Sequence, residues 1–176
     1  MRFSETGLAG AWLIEIEPAL DSRGLFARTY CEREFARHGI AFRVVQCNTS
    51  YNAVRHTLRG MHYQEGGAAE EKLVRCTSGA IYDVIVDLRP GSATRLRWYA
   101  AELSAENRRA LFIPKGFAHG FKTLTDGAEV FYQMSEFYEP GAARGVRWND
   151  PALAIHWPAG APLLSERDRG YPDLVP

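Results

Sequence analysis

Turn-forming residues break this chain at short intervals, and that spacing constrains its fold more than any other feature. Asp21-Ser22-Arg23-Gly24, Glu65-Gly66-Gly67, Ser78-Gly79, Pro90-Gly91, Thr125-Asp126-Gly127 and Pro140-Gly141 separate runs rich in Val, Ile, Phe, Tyr and Trp. Glycine and proline supply the backbone angles of tight turns, and β-branched and aromatic side chains fit a pleated, half-buried surface. The pattern reads as an all-β sandwich or barrel. Strands are expected at Trp12–Glu17, Leu25–Tyr30, Arg43–Ser50, Lys72–Cys76, Ala80–Leu88, Leu96–Leu103, Ala110–Ile113 and Glu129–Tyr138. Helix is scarce. Cys31–His38 suits a short one stopped by Gly39, Ser104–Asn107 starts a single turn, and Leu163–Arg169 is a loop or a turn of helix. Pro158, Pro162, Pro172 and Pro176 keep the tail irregular.

A length of 176 residues fits a single domain, 1–176, with a substantial core. Lys+Arg and Asp+Glu both number 21, so there is no basic excess for a nucleic-acid surface, although a small anion needs only a local cluster. The three cysteines, Cys31, Cys47 and Cys76, are widely spaced and read as reduced, partly buried thiols. The N-terminus lacks the apolar stretch of a signal peptide and no apolar run approaches membrane-spanning length, so a cytoplasmic protein without membrane contact is expected.

Chemistry concentrates in Leu58-Arg59-Gly60-Met61-His62-Tyr63-Gln64 and the following Lys72-Leu73-Val74-Arg75. Two strands folded back across the Gly-rich segment between them bring one imidazole and one ammonium into a single pocket. A base beside a fixed cation suits proton abstraction next to a ketone, with the cation holding the enolate oxygen. Each residue also has a plainer reading. A lone histidine such as His62 is more often structural, Lys72 beside Glu70 and Glu71 suits a surface ion pair, and Asp168 suits a solvated tail. The sharper reading folds that tail over the barrel mouth, so that Asp168 orients His62. Strand alternation puts Val130, Tyr132, Met134 and Tyr138 on one face. Arg23 and Arg59 each precede a glycine and suit a diphosphate, with Arg167 a weaker candidate.

Pro114-Lys115-Gly116-Phe117-Ala118-His119 resembles the second motif of the cupin superfamily, a double-stranded jelly roll. The first cupin motif, H-x-H, is incomplete because Tyr63 and Gln64 follow His62, so a metal-free site is expected and His119 is either a pocket residue or a turn-stabilising one. With Asp21–Phe26, Val45–Asn48, Gly79–Val84, Leu103–Asn107, Trp148–Pro151 and Leu164–Asp168 added, nearly the whole chain resembles the dTDP-4-dehydrorhamnose 3,5-epimerase family.

The resemblance implies a cupin-like jelly roll with short peripheral helices. It implies His62 as base, Asp168 as its partner, Lys72 at the enolate oxygen and Tyr132 as proton donor on the opposite face. It assigns the diphosphate to Arg23 and Arg59 and the nucleoside to Phe26, Gln46, Asn48 and Tyr138, and it places His119 in the sugar pocket. It implies a nucleotide-sugar substrate, no cofactor, and a homodimer exchanging N-terminal strands, so that Arg23 and Phe26 serve the partner's site. Arg28, Thr49 and Ser92-Ala93-Thr94-Arg95 depart from the family pattern and leave open another nucleotide, such as CDP, or inversion of a single carbon. A keto-isomerase and a non-catalytic sugar-nucleotide-binding cupin are the remaining alternatives, with a metal-dependent oxygenase behind them.

Overall fold

The computed structural model describes residues 1–174. Pro176, one of the tail prolines, lies outside them.

Two antiparallel sheets lie face to face, the arrangement expected of a double-stranded jelly roll. The first holds β1 (Arg2–Glu5), β2 (Trp12–Glu15), β10 (Ala110–Ile113), β7 (Lys72–Ser78), β12 (Ala128–Met134) and β5 (Gln46–Asn52), in that spatial order. The second holds β13 (Ala143–Gly145), β6 (Leu58–Gln64), β11 (Phe117–Thr123), β8 (Ala80–Asp87) and β9 (Trp98–Ser104). A separate two-stranded ribbon, β3 (Ala19–Asp21) and β4 (Gly24–Phe26), joins neither sheet.

Alternation along the strands builds three apolar layers. On β8, Ile81 and Ile85 face the space between the sheets, where they meet Val74, Leu103, Leu111, Ile113, Phe117, Phe121 and Val130. Val84 and Val86 face outward and pack with Met61, Ala118, Val146, Leu153 and Ile155 under the C-terminal segment. The outer face of the first sheet is covered by the short helix α1 (Glu32–Ala36), whose Phe35 packs on Ile14, Phe42, Leu73 and Phe112. Both faces of each sheet are therefore covered in part, which explains runs that are apolar without clean alternation.

Several expectations need correction. Phe117–Thr123 is not among the expected strands, yet it is a central, wholly buried one. Gly120 is required there: a Cβ on it would lie 2.8 Å from the Arg59 carbonyl oxygen and 2.7 Å from Met61 Sδ, so β6 and β11 meet closely at this point. Leu25–Tyr30 and Arg43–Ser50 start or stop elsewhere, at Gly24–Phe26 and Gln46–Asn52. The strand expected through Tyr138 ends at Met134, so Tyr138 lies beyond it. Cys47 is exposed, whereas burial pushes the Cys76 thiol up to about 11. The tail resolves into α2 (Glu166–Arg169), capped by the Ser165 hydroxyl accepting from the Asp168 N–H. Among the described residues, no helix is long and apolar enough to cross a membrane.

Candidate active site

At one end of the sandwich the inner faces turn polar and line a cleft of two joined lobes, of about 330 and 280 Å³, a size typical of small-molecule sites. His62, Lys72, Asn48 and Met134 line both lobes and so mark the junction. Gln46, Glu70, Tyr138, Arg144 and Arg167 surround the first lobe, and Ser50, Arg59, His119 and Tyr132 the second.

The strand register assembles these side chains. His62 on β6 stands directly opposite His119 on β11, and Tyr132 on β12 stands opposite Asn48 on β5 and Val74 on β7. Lys72 opens β7 opposite Met134. The two sheets thus contribute opposite walls: His62 and His119 from one, Lys72, Tyr132 and Asn48 from the other.

His62 Nε2 lies 2.5 Å from Asp168 Oδ1. Asp168 is only 4% exposed, so the solvated-tail reading is wrong: α2 closes over β6 and delivers the carboxylate inside. Burial alone would raise the Asp168 pKa, but the His62 hydrogen bond and charge, with help from Ser165 and the Gly60 backbone, hold it below the usual carboxylate range. An ionised Asp168 accepts the Nε2–H of a neutral imidazole and leaves the Nδ1 lone pair free as a base.

Lys72 is also buried, at 8% exposed, and its Nζ is 2.9 Å from Oε1 of Glu70, itself 7% exposed. The surface ion pair is therefore an internal one. Tyr132 packs edge-on to His119, with ring centroids 6.0 Å apart. Burial, with the nearby Asp83 charge, pushes its phenol well above the ordinary value, so it is a protonated donor at neutral pH. His119 is not a turn residue; it lies in the buried strand with Nε2 2.8 Å from Asp83 Oδ1. Arg59 is held by Asn52, Nε to Oδ1 2.7 Å, and Arg167 by Tyr171, Nε to the hydroxyl 2.7 Å.

Two expected binding residues are elsewhere. Arg23 and Phe26 sit on the β3–β4 ribbon, where Phe26 is 80% exposed and Arg23 pairs with Asp21. Neither lines the cleft of its own chain. Of the departures, Thr49 lines the second lobe, whereas Arg28 pairs with Glu34 on α1. Ser92 and Thr94 donate their hydroxyls to the buried Asp87, a structural task away from the cleft lining.

Asp83 and Arg144 are not among the site residues expected from the sequence, and Glu70 is expected there only as a surface partner of Lys72. An acid inside the apolar run Ile81–Val86 signals a buried partner, and Glu70 stands two residues before Lys72, the same-face spacing of extended chain. Among the described residues, no group of three or more His, Cys, Asp or Glu is placed to hold a metal ion.

The family model for dTDP-4-dehydrorhamnose 3,5-epimerase matches residues 5–175. A relative of that name from Pseudomonas aeruginosa is 48% identical over 170 residues, spanning 93% of this chain and 92% of the relative. A Streptomyces niveus protein named dTDP-4-dehydrorhamnose 3-epimerase is 41% identical, spanning 96% of this chain and 82% of its own length. The crystal structure of the Bacillus anthracis 3,5-epimerase with TDP and PPi bound matches with a TM-score of 0.95 at 44% identity, covering 98% of this chain and 99% of that one. Sequence, fold and cleft thus lead to one conclusion: the chain belongs to the dTDP-4-dehydrorhamnose 3,5-epimerase family.

Proposed function

We propose that this chain epimerises a dTDP-linked 4-keto-6-deoxy sugar, converting dTDP-4-dehydro-6-deoxy-D-glucose to dTDP-4-dehydro-L-rhamnose. The observation that carries the reading is the Asp168-held imidazole of His62 facing Lys72 and Tyr132 across one cleft. His62 Nδ1 takes the proton from the carbon next to the C4 ketone, and the electron pair of that C–H bond moves onto the carbonyl oxygen. The Lys72 ammonium stabilises the resulting enolate. Tyr132, on the opposite wall, gives its phenolic proton to the other face of that carbon and inverts it. The imidazolium proton returns to the tyrosinate through solvent, restoring both groups. The ketone acidifies C3 and C5 alike, so one base serves both carbons if the ring shifts. Proton transfer of this kind consumes no hydride carrier.

Arg59 and Arg167 bind the diphosphate and Tyr138 stacks on the base, with Gln46 and Asn48 beside it and His119 against the sugar. Arg23 and Phe26 act in a homodimer, where the exposed β3–β4 ribbon completes the cleft of the partner subunit. A nucleotide-activated substrate places the reaction in the cytoplasm.

The test is incubation with dTDP-4-dehydro-6-deoxy-D-glucose in D₂O, followed by mass and NMR. Deuterium at C3 and C5 is expected. Exchange at C3 alone would make the chain a mono-epimerase like its Streptomyces niveus relative, and no exchange with dTDP or CDP sugars would leave a binding protein. A shifted carbonyl would mark a keto-isomerase.

A further inference from the structure

Glu70 has two carboxylate oxygens in different situations. Oε1 bonds the Lys72 ammonium at 2.9 Å, while Oε2 is shielded from solvent and has no hydrogen-bond partner among the described residues. The residue is 7% exposed and lines the first lobe beside His62 and Lys72. A carboxylate oxygen left without a donor in a cleft wall is costly. Gln64 Nε2, which lines the same lobe, is already bonded to the carbonyls of Ala68 and Phe137. Glu70 lines the cleft, so a turn of its carboxyl group offers this oxygen to a donor on whatever fills the lobe.

The reaction fixes which donor that is, and this step rests on the function proposed above. If Lys72 contacts the C4 oxygen, a carboxylate bonded to the same ammonium reaches the substituents next to C4. C5 carries a methyl group, which has nothing to donate. C3 carries a hydroxyl. We propose that Glu70 is a substrate-binding and specificity-determining residue that accepts a hydrogen bond from the C3 hydroxyl while its other oxygen steers Lys72. The contact tells a 3-hydroxy sugar from a 3-deoxy one. It also depends on configuration at C3, because inversion there moves the hydroxyl relative to the carboxylate.

The experiment is a cycle of residue against hydroxyl. Dissociation constants are measured for wild type, Glu70→Gln and Glu70→Ala with the dTDP-4-keto-6-deoxy sugar and with its 3-deoxy analogue. Charge-assisted hydrogen bonds are strong, so wild type is expected to bind the 3-deoxy analogue about tenfold or more weaker, whereas Glu70→Ala treats the two alike. Glu70→Gln, which keeps the shape of the side chain, falls between and guards against a folding defect in the alanine variant. The result that overturns the proposal is an equal loss for both ligands on substitution, which would reduce Glu70 to a support for Lys72. Failure of the reaction itself reads differently: wild type would bind the sugar nucleotide and show no deuterium exchange.

Discussion

Individual side chains here act through the partner that orients them. His62→Ala removes the proposed base, a side chain already 39% exposed, so folding is preserved while deuterium exchange falls about 10²–10⁴-fold, read by NMR in D₂O. Asp168→Asn is more informative. Its amide can turn an N–H toward Nε2, which drives the imidazole proton onto Nδ1 and blocks the base; turnover is expected to fall about 10³–10⁴-fold with the melting temperature little changed. Asp87 illustrates the structural counterpart. The carboxyl is fully buried, and the Arg89, Ser92 and Thr94 hydrogen bonds overcome the opposing effect of burial to hold its pKa far below the usual carboxylate range. A depressed folded pKa contributes stability that is present above the unfolded value, 3.8, and is lost as pH falls through the folded one. Asp87→Asn should therefore cost about 3 kcal/mol at pH 7 in urea unfolding, with the gap to wild type closing only in strong acid.

At the scale of elements, the cleft depends on where two pieces of backbone are held. β6 and β11 touch through Gly60 and Gly120, and this contact keeps His62 opposite His119. Gly120→Ala has to push β6 away, since the added carbon meets the Arg59 carbonyl; a loss of about 1–3 kcal/mol is expected in denaturant unfolding, with a fall in turnover beyond the loss of folded protein. The tail is the second piece. Leu163 bridges to Thr57 in parallel fashion, and Lys122 donates to the Pro158 and Gly160 carbonyls, so the chain arrives at α2 in a set place. Ser165→Ala removes the cap on the Asp168 N–H, worth about 1 kcal/mol, and is expected to lower kcat more than it raises KM.

For the whole molecule, the conspicuous feature is a ribbon that joins neither sheet. Leu20 and Phe26 on β3–β4 are 75% and 80% exposed, too much apolar surface for so small an element to leave in water. Exchange of this ribbon in a symmetric dimer makes a definite prediction. A His62→Ala subunit and an Arg23→Ala subunit are each inactive alone, but refolded together they form some dimers in which one cleft has both native residues. Random pairing restores activity at about a quarter of all clefts, measured by deuterium exchange against the mixing ratio. Restoration at no ratio would show that Arg23 acts in its own chain or not at all.

The amino-acid sequence by itself determined the all-β class, because Gly- and Pro-rich turns and β-branched runs are local properties that need no partner. His62 and Lys72 stood out as a base beside a cation, whereas the roles expected of Tyr132 and Asp168 came from the family resemblance. Glu70 read only as a surface partner of Lys72 and Asp83 stayed unmarked because their significance lies in which atom faces them, and the strand at Phe117–Thr123 was hidden because burial on both faces erases alternation. The resemblance already implied that Arg23 and Phe26 serve a partner's cleft; that their ribbon joins neither sheet was read only from the fold. Whether a ribbon joins a sheet depends on hydrogen-bond partners distant in sequence, and packing between distant segments is what the tertiary structure decides.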